Sequence, residues 1–407
     1  MNVKRLYRTV PFLLLSLLLG CQPSAPSFKD KPITLRIGYS SEHDFAWRYG
    51  NLLSQEFPQW TVEIVPMKDW IGGNTTAAEW LRDHPVDLLY IPGNAFRPLI
   101  DQGLLRNLDA ELQADAELAD AFLPSILKLA RLYGNGHYYG LVPSFHCRAI
   151  AVNLGKFAEN GISPPSSDAD WPEIVSLARR FDKGLLTAYS EPFDWILAMG
   201  QGMGLSTRDA ATGAYTLDTP SWRELWNLAV EGITSRAVSL GRQDASGFLA
   251  GDYAMAVVES GDIERLERSS IDWSLVPYPG NPAAPDLSYV YAPDGFLAIP
   301  RVSGHPEEAW EAIRFLLSDK AANRSSRSEF GRSSLKAAFD SGGEGTKRNY
   351  AALTERTPAL MDAAEPAEPL RVRADQAFRT IVDRSIPVRS ALSNLQKEAD
   401  EGLFQQE

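Results

Sequence analysis

Between Ile33 and Pro92 the chain alternates strand and helix patterns, and this alternation restricts the fold more than any other feature. "ITLRIGY" places Ile33, Leu35, Ile37 and Tyr39 on one side, the mark of a half-buried strand. "EHDFAWRYGNLLSQEF" then sets Phe45, Tyr49, Leu52, Leu53 and Phe57 at helical spacing. "WTVEIVP" predicts a second strand, "TTAAEWLRD" a short helix and "VDLLYIP" a third, almost wholly apolar strand. A strand apolar on both sides needs cover on both faces, so β-α-β-α-β here predicts an α/β sheet wrapped by helices. The stretches after these strands, "SSEHD", "MKDWIGGN" and "GNAF", are polar or Gly-bearing. Ligands of open α/β sheets bind at such carboxyl-end loops.

The middle third, Leu154 to Ser270, is richer in helix signals. "SSDADWPEIVSLARRF" offers Ser and Asp as caps, Pro172 in the first turn and a stripe of Trp171, Ile174, Val175, Leu177 and Ala178. "TPSWRELWNLAVEGI" repeats the formula. A strand pair, "YAMAVVES" and "WSLVPYP", follows, then a strand "YAPDGFLAIP" and a helix in "SGHPEEAWEAIRFLLSD" with Ala309, Trp310, Ile313 and Leu317 on one face. "SGGEGTKRN" and "DAAEPAEP" read as loops, and Val372 to Leu403 as helix. No internal repeat is visible, and 407 residues suggest two domains.

The N-terminus reads as a secretion signal. Lys4, Arg5 and Arg8 precede an apolar stretch of about ten residues, too short to span a bilayer stably. Leu18-Leu19-Gly20-Cys21 resembles the bacterial lipobox, in which the thiol is acylated and the chain is cut before the cysteine. That resemblance implies a signal peptide at 1–20, a lipid on Cys21, a tether over 21–32, and an exported protein held at the cell membrane by two or three acyl chains. A plain signal peptide, or a membrane helix with an incidental cysteine, is the alternative. Cleavage removes three basic residues and no acid, taking the formal charge from −12 to −15 over 387 of the 407 residues. Such a surface argues against nucleic acid as a partner. With Cys21 acylated, Cys147 has no partner for a disulfide.

Several stretches, in order, resemble the extracellular solute-binding proteins (family 1, sugar-binding type) of bacterial ABC transporters. They are "VDLLYIPGNAFRPLIDQGLLRNLDAEL", "YGNGHYYGLVPSFHCRAIAVNLGKFAENGISPPSSDADWPEIVSLARRF", "FLAGDYAMAVVESGDIERL" and "APDGFLAIPRVSGHPEEAWEAIRFLLSD". The resemblance implies a type II periplasmic-binding-protein fold, two α/β domains with a hinge and an interdomain cleft that closes on ligand. By analogy one lobe comprises 33–145 plus 286–335 and the other 147–281 plus 336–407, with crossings near Phe145–Cys147 and Asp286–Tyr291. It further implies a monomer without cofactor that binds a small polar solute, a sugar or oligosaccharide, and delivers it to the permease subunits. The alternative is a ligand-sensing lipoprotein of the same fold acting on a signalling partner.

Candidate site residues follow from that topology. The first lobe offers Ser40, Ser41, Glu42, Asp44, Asp69, Trp70, Asn74, Gly93 and Asn94; the second offers Trp195, Glu259, Ser260 and Asp262; the crossings offer Ser144, His146, Tyr291 and Asp294. Trp70, Trp195 and Tyr291 are the loop aromatics fitted to stack on a sugar. Glu259-Ser260-Gly261-Asp262 stands where many sugar binders have Gly-Ser-Trp, so a stacking ring is replaced by carboxylates suited to hydroxyls or a cation. Asp262 alternatively caps the helix that follows. Enzyme signals are weak. Ser125-x-x-Lys128 and Ser333-x-x-Lys336 lack the companion triads of penicillin-recognising enzymes. None of the five histidines forms an i, i+4 pair, and a soft metal site of His146, Cys147 and His137 is disfavoured because adjacent strand residues face opposite sides.

Overall fold

The computed structural model describes residues 31–404 apart from 242–244, 326–327, 341–343, 362–365 and 385; the secretion signal and Cys21 lie outside them. Strands β1 (Ile33–Tyr39), β2 (Trp60–Pro66) and β3 (Leu88–Ile91) form a parallel set with β1 in the middle. Residues of β3 divide between two cores, because successive side chains leave a strand on opposite faces. Leu88 and Tyr90 join Leu35, Ile37, Phe45 and Leu53 on one face, and Leu89 and Ile91 join Trp80, Phe96 and Leu99 on the other. The helix expected over 42–57 is broken in two, Glu42–Arg48 and Leu52–Glu56. Gly50 adopts φ +57°, a turn that directs Leu52 and Leu53 back into the core.

The chain leaves this sheet through β4 (Ser144–His146) and, after Cys147 alone, enters β5 (Arg148–Asn153). Strands β6 (Leu185–Leu186), β7 (Val238–Ser239), β8 (Met255–Glu259) and β9 (Trp273–Pro277) complete a five-stranded sheet in the order β7-β6-β8-β5-β9. The expected strand pair is therefore corrected. β8 and β9 do not pair with each other but flank β5, both antiparallel to it. On β5, Ile150 and Val152 face the core that holds Trp171, Trp195 and Trp226, while Ala149 and Ala151 face the core running back to Phe145. Helices Trp171–Ala178 and Pro220–Thr234 begin where capping chemistry predicts, with Asp170 and Thr219 accepting from the N–H groups of Glu173 and Trp222.

The return path runs through β10 (Leu287–Ser288), β11 (Ala292–Pro293) and β12 (Phe296–Ala298), the last closing the first sheet antiparallel to β3. The single strand expected over 291–300 is thus split at Asp294-Gly295. A Cβ on Gly295 would lie 2.6 Å from the Tyr90 ring, so only glycine fits that bend. β13 (Arg332–Ser333) and β11 flank β4 in a small antiparallel sheet, and β14 (Thr357–Pro358) pairs with β10. The stretch 344–349 is also corrected from loop to helix, Glu344–Thr354. Buried Tyr350 and Leu353 anchor it, and the Asn349 side chain accepts the N–H of Leu275 on edge strand β9 at 2.9 Å. Helices Glu368–Arg384 and Val388–Asp400 close the tail, with Phe378 and Leu392 buried beside Trp226. Among the described residues, no helix is long and apolar enough to cross a membrane.

Candidate functional site

Strand alternation at the crossing sorts the residues of β4. Phe145 and, just past it, Cys147 turn inward, 0% and 2% exposed. Burial pushes the Cys147 thiol up to about 12, so it is an inert packed group. Ser144 and His146 face the other side, where a polar cluster gathers from distant segments. Arg48, last residue of the helix Glu42–Arg48, is 5% exposed. It donates to the Tyr90 hydroxyl at 2.6 Å, to Ser144 Oγ at 2.7 Å and to the Asp294 carboxylate. Tyr90 donates to the same carboxylate, and His146 Nε2 stands 3.4 Å from its other oxygen. The Phe330 ring centre lies 4.5 Å from the guanidinium. Burial by itself raises the Asp294 pKa, but the hydrogen bond to His146, the Arg48 charge and the Tyr90 bond outweigh it and hold the carboxyl below the usual range. Burial likewise disfavours the Arg48 charge, yet Tyr49, Tyr90 and Asp294 hold the proton more firmly than in water.

Two cavities of more than 200 Å³ flank this cluster. One, of about 640 Å³, opens at the carboxyl ends of β1 and β3, between Tyr39, Ser40, Asp44, Tyr90 and Asp294 on one side and Trp47, Glu329 and Phe330 on the other. Trp47 is half exposed there, its indole N–H given to Glu329. The other, of about 260 Å³, lies at the start of β5 and is lined by His146, Arg148, Gln201, Glu259, Tyr289 and Tyr291, with Cys147 and Met361 contributing apolar surface. The His146–Asp294 contact stands between the two.

The structure therefore gathers part of the sequence-derived set. Ser40, Asp44 and Asp294 line the larger cavity, and His146, Glu259 and Tyr291 the smaller. Ser144 lies behind them, holding Arg48. Ser40 and Ser41 both hydrogen-bond Asp44, by hydroxyl donation at 2.7 Å and by accepting its N–H at 3.0 Å, and these bonds lower its pKa. Glu42 is exposed in the first turn of the same helix and lines neither cavity.

Two aromatic candidates are corrected, and the remaining ones line neither cavity. Trp195 is 0% exposed inside the helix Pro192–Gly202, edge-on to Trp171, so it is a core residue rather than a stacking platform. Trp70 belongs to the helix Lys68–Ile71 and is 9% exposed, tilted against Trp80. Asp69 and Asn74 are exposed around a turn that borders neither cavity. Gly93 and Asn94 form the first turn of the helix Gly93–Asp101, where the Gly93 backbone packs on Pro293. Ser260 is 1% exposed, and Asp262 accepts the Glu259 N–H at 3.1 Å and pairs with Arg265 at 3.3 Å, which is capping chemistry.

The sequence reading missed Arg48, Trp47, Tyr90, Arg148, Gln201, Tyr289 and Phe330. One signal was available: Arg48 stands three residues after Phe45 and next to Tyr49, inside an apolar helical stripe where a cation requires a buried partner. The alternative chemistries gain nothing. His137 is engaged with Asp109 at 2.7 Å, and among the described residues no three potential ligands gather for a metal. Ser333 Oγ accepts the Leu335 N–H at 3.2 Å and Lys336 donates to the Asp120 carbonyl at 2.6 Å, so the two do not form a dyad.

Comparison with known proteins follows the same lines. The profile of the family described as bacterial extracellular solute-binding protein matches residues 73–323. No curated protein matches the sequence. Among solved structures, an extracellular solute-binding protein family 1 member from Alicyclobacillus acidocaldarius superposes with TM-score 0.71 at 15% identity, covering 92% of this chain and 100% of its own. The sugar-binding protein MalE of Xanthomonas citri gives 0.65 at 14%, covering 92% and 100%. UgpB of Mycobacterium tuberculosis, solved with glycerophosphocholine, gives 0.59 at 17%, covering 91% and 98%. At these identities the likeness establishes the fold, the α/β architecture of periplasmic-binding proteins.

Proposed function

The chain belongs to the bacterial extracellular solute-binding proteins, exported and non-catalytic components of ABC importers, and from that premise we propose that it captures a small polar solute of the sugar or oligosaccharide class and delivers it to an ABC permease. The observation that carries this reading is the pair of cavities meeting at His146 and Asp294, on the strands through which the chain passes from one sheet to the other. A solute spanning them would touch hydroxyl, carboxylate, imidazole and guanidinium groups able to fix its orientation, with Trp47 and Phe330 contributing apolar area. Segments 33–145 plus 286–335 and 147–281 plus 336–407 move as the two lobes, bending at β4, β10 and β11. A lipid on Cys21 holds the protein beside its permease.

The test begins with a thermal-shift screen over sugars, polyamines and amino acids. A solute present at a hundred times its Kd stabilises the folded state by about 2.7 kcal/mol. Small-angle scattering of the best binder's complex then reads the motion, and the radius of gyration should fall on saturation. A saturated complex with an unchanged radius would refute cleft closure, and stabilisation by amino acids or polyamines without any sugar would refute the sugar class.

A further inference from the structure

We infer that Arg148, with His146 beside it, takes an anionic group of the solute, a carboxylate or a phosphoryl group, making the recognised ligand an acidic rather than a neutral member of its class. The inference rests on the solute-binding reading and sharpens it. Arg148 opens β5 immediately beyond the crossing, and its side chain lines the 260 Å³ cavity while only 28% exposed. Its Nε faces Glu259 at 3.5 Å, and the Tyr189 ring lies 5.9 Å from the guanidinium carbon. Among the described residues its terminal nitrogens meet no acceptor. A guanidinium carries five donors in a rigid fork, and a fork held at its Nε edge presents the remaining edge to a planar or tetrahedral anion.

The surroundings favour the same ligand. Gln201 adds an amide donor to the wall and His146 its imidazole, and among the described residues Glu259 is the one carboxylate lining the cavity. Tyr189 and Tyr278 stand close enough to interact electrostatically with Arg148, and both hydroxyls are buried without a partner. In a chain whose formal charge is −12, the Arg148–Glu259 pair leaves this lining formally neutral, with the outer edge of the arginine fork still open. Because bulk charge repels anions, selectivity must come from this short-range contact.

The test uses matched pairs on the mature protein: glucose with glucuronate, galactose with galacturonate, glycerol with glycerol 3-phosphate. Affinity is measured by calorimetry and folding by thermal melting. At least one acidic member should bind more tightly than its neutral partner by roughly 10- to 100-fold, the worth of a charge-assisted hydrogen bond. Arg148→Gln should abolish that preference, and Arg148→Lys, which keeps the charge without the fork, should recover part of it. Should Arg148→Gln fail to fold, the Lys variant carries the test through its loss of preference. A neutral member bound as tightly as its acidic partner, or acid binding undiminished in both variants, overturns the inference while leaving solute binding intact. Absence of binding across all pairs overturns the acidic class, and the wider sugar screen then judges the parent reading separately.

Discussion

Replacing Asp294 by Ala strips the Arg48 guanidinium of its carboxylate while leaving it buried. The Arg48 side chain is 4% exposed and that of Asp294 18%, so water cannot readily replace the lost partner. Breaking a buried pair by removing one member typically costs about 3–5 kcal/mol, because the remaining charge stays uncompensated. Tyr90 and Ser144 still accept from Arg48, which places the expectation toward the lower end, about 3 kcal/mol. Unfolding entropy of about 2.1 cal/mol/K per residue makes the midpoint fall roughly 4 °C if the whole chain melts as one unit, and about twice that if each lobe melts alone. The acid limb gives an independent reading. Because the folded Asp294 pKa is depressed, its contribution is fully present above the unfolded carboxylate value of about 3.9 and is lost as pH falls through the lower folded value. Urea denaturation of wild type and Asp294→Asn should therefore differ most at neutral pH and converge below about pH 4. Pairing Asp294→Ala with Arg48→Met should cost less than the two single changes together, since the double variant holds no orphan charge. An Asp294→Ala protein within about 0.5 kcal/mol of wild type at pH 7, or strict additivity in the cycle, would show that the cluster is not the linked buried unit described here.

Trp195→Ala should lower stability by about 3–5 kcal/mol through the cavity it leaves, while solute affinity of the folded fraction stays within twofold of wild type. Chemical denaturation together with calorimetry checks this, and normal stability with lost binding would return Trp195 to the site. Cys21→Ala should abolish lipid attachment, read as loss of acyl mass and of detergent partitioning. A Cys21→Ala protein that is processed and stays membrane-bound like wild type would refute the anchor.

What the sequence made legible were patterns long enough to repeat. β1 and β2 run seven residues each, and their alternation or apolar content is visible without any structure. The caps at Asp170 and Thr219 were equally visible, because capping is a local contract between a side chain and an N–H two or three residues on. The crossing strands are different. β4 has three residues and β11 two, too short to display a repeat, so β4 was approached only through the family resemblance and β11 only as the start of a longer strand read over 291–300. Trp195 failed for a related reason. "EPFDWILAMG" sits between turn-like and helical readings, and its burial on every side depends on the tail helices, whose Phe378 and Leu392 are nearly two hundred residues away.

The site itself is illegible locally because no segment contains it. Arg48, Tyr90, Ser144, His146 and Asp294 come from a helix end, a buried strand, a crossing strand and a bend, and only Arg48, set in an apolar stripe, stands out in its own surroundings. Their meeting is a product of topology. β1 and β3 end side by side, β4 leaves the sheet there, and the bend at Gly295 brings Asp294 back against Tyr90. A cation buried at that junction ties the first helix to both passages of the chain. Under the proposed closure, changes that leave solute contacts untouched would still alter the motion, and affinity and motion must be measured on the same variants before either is assigned to a residue.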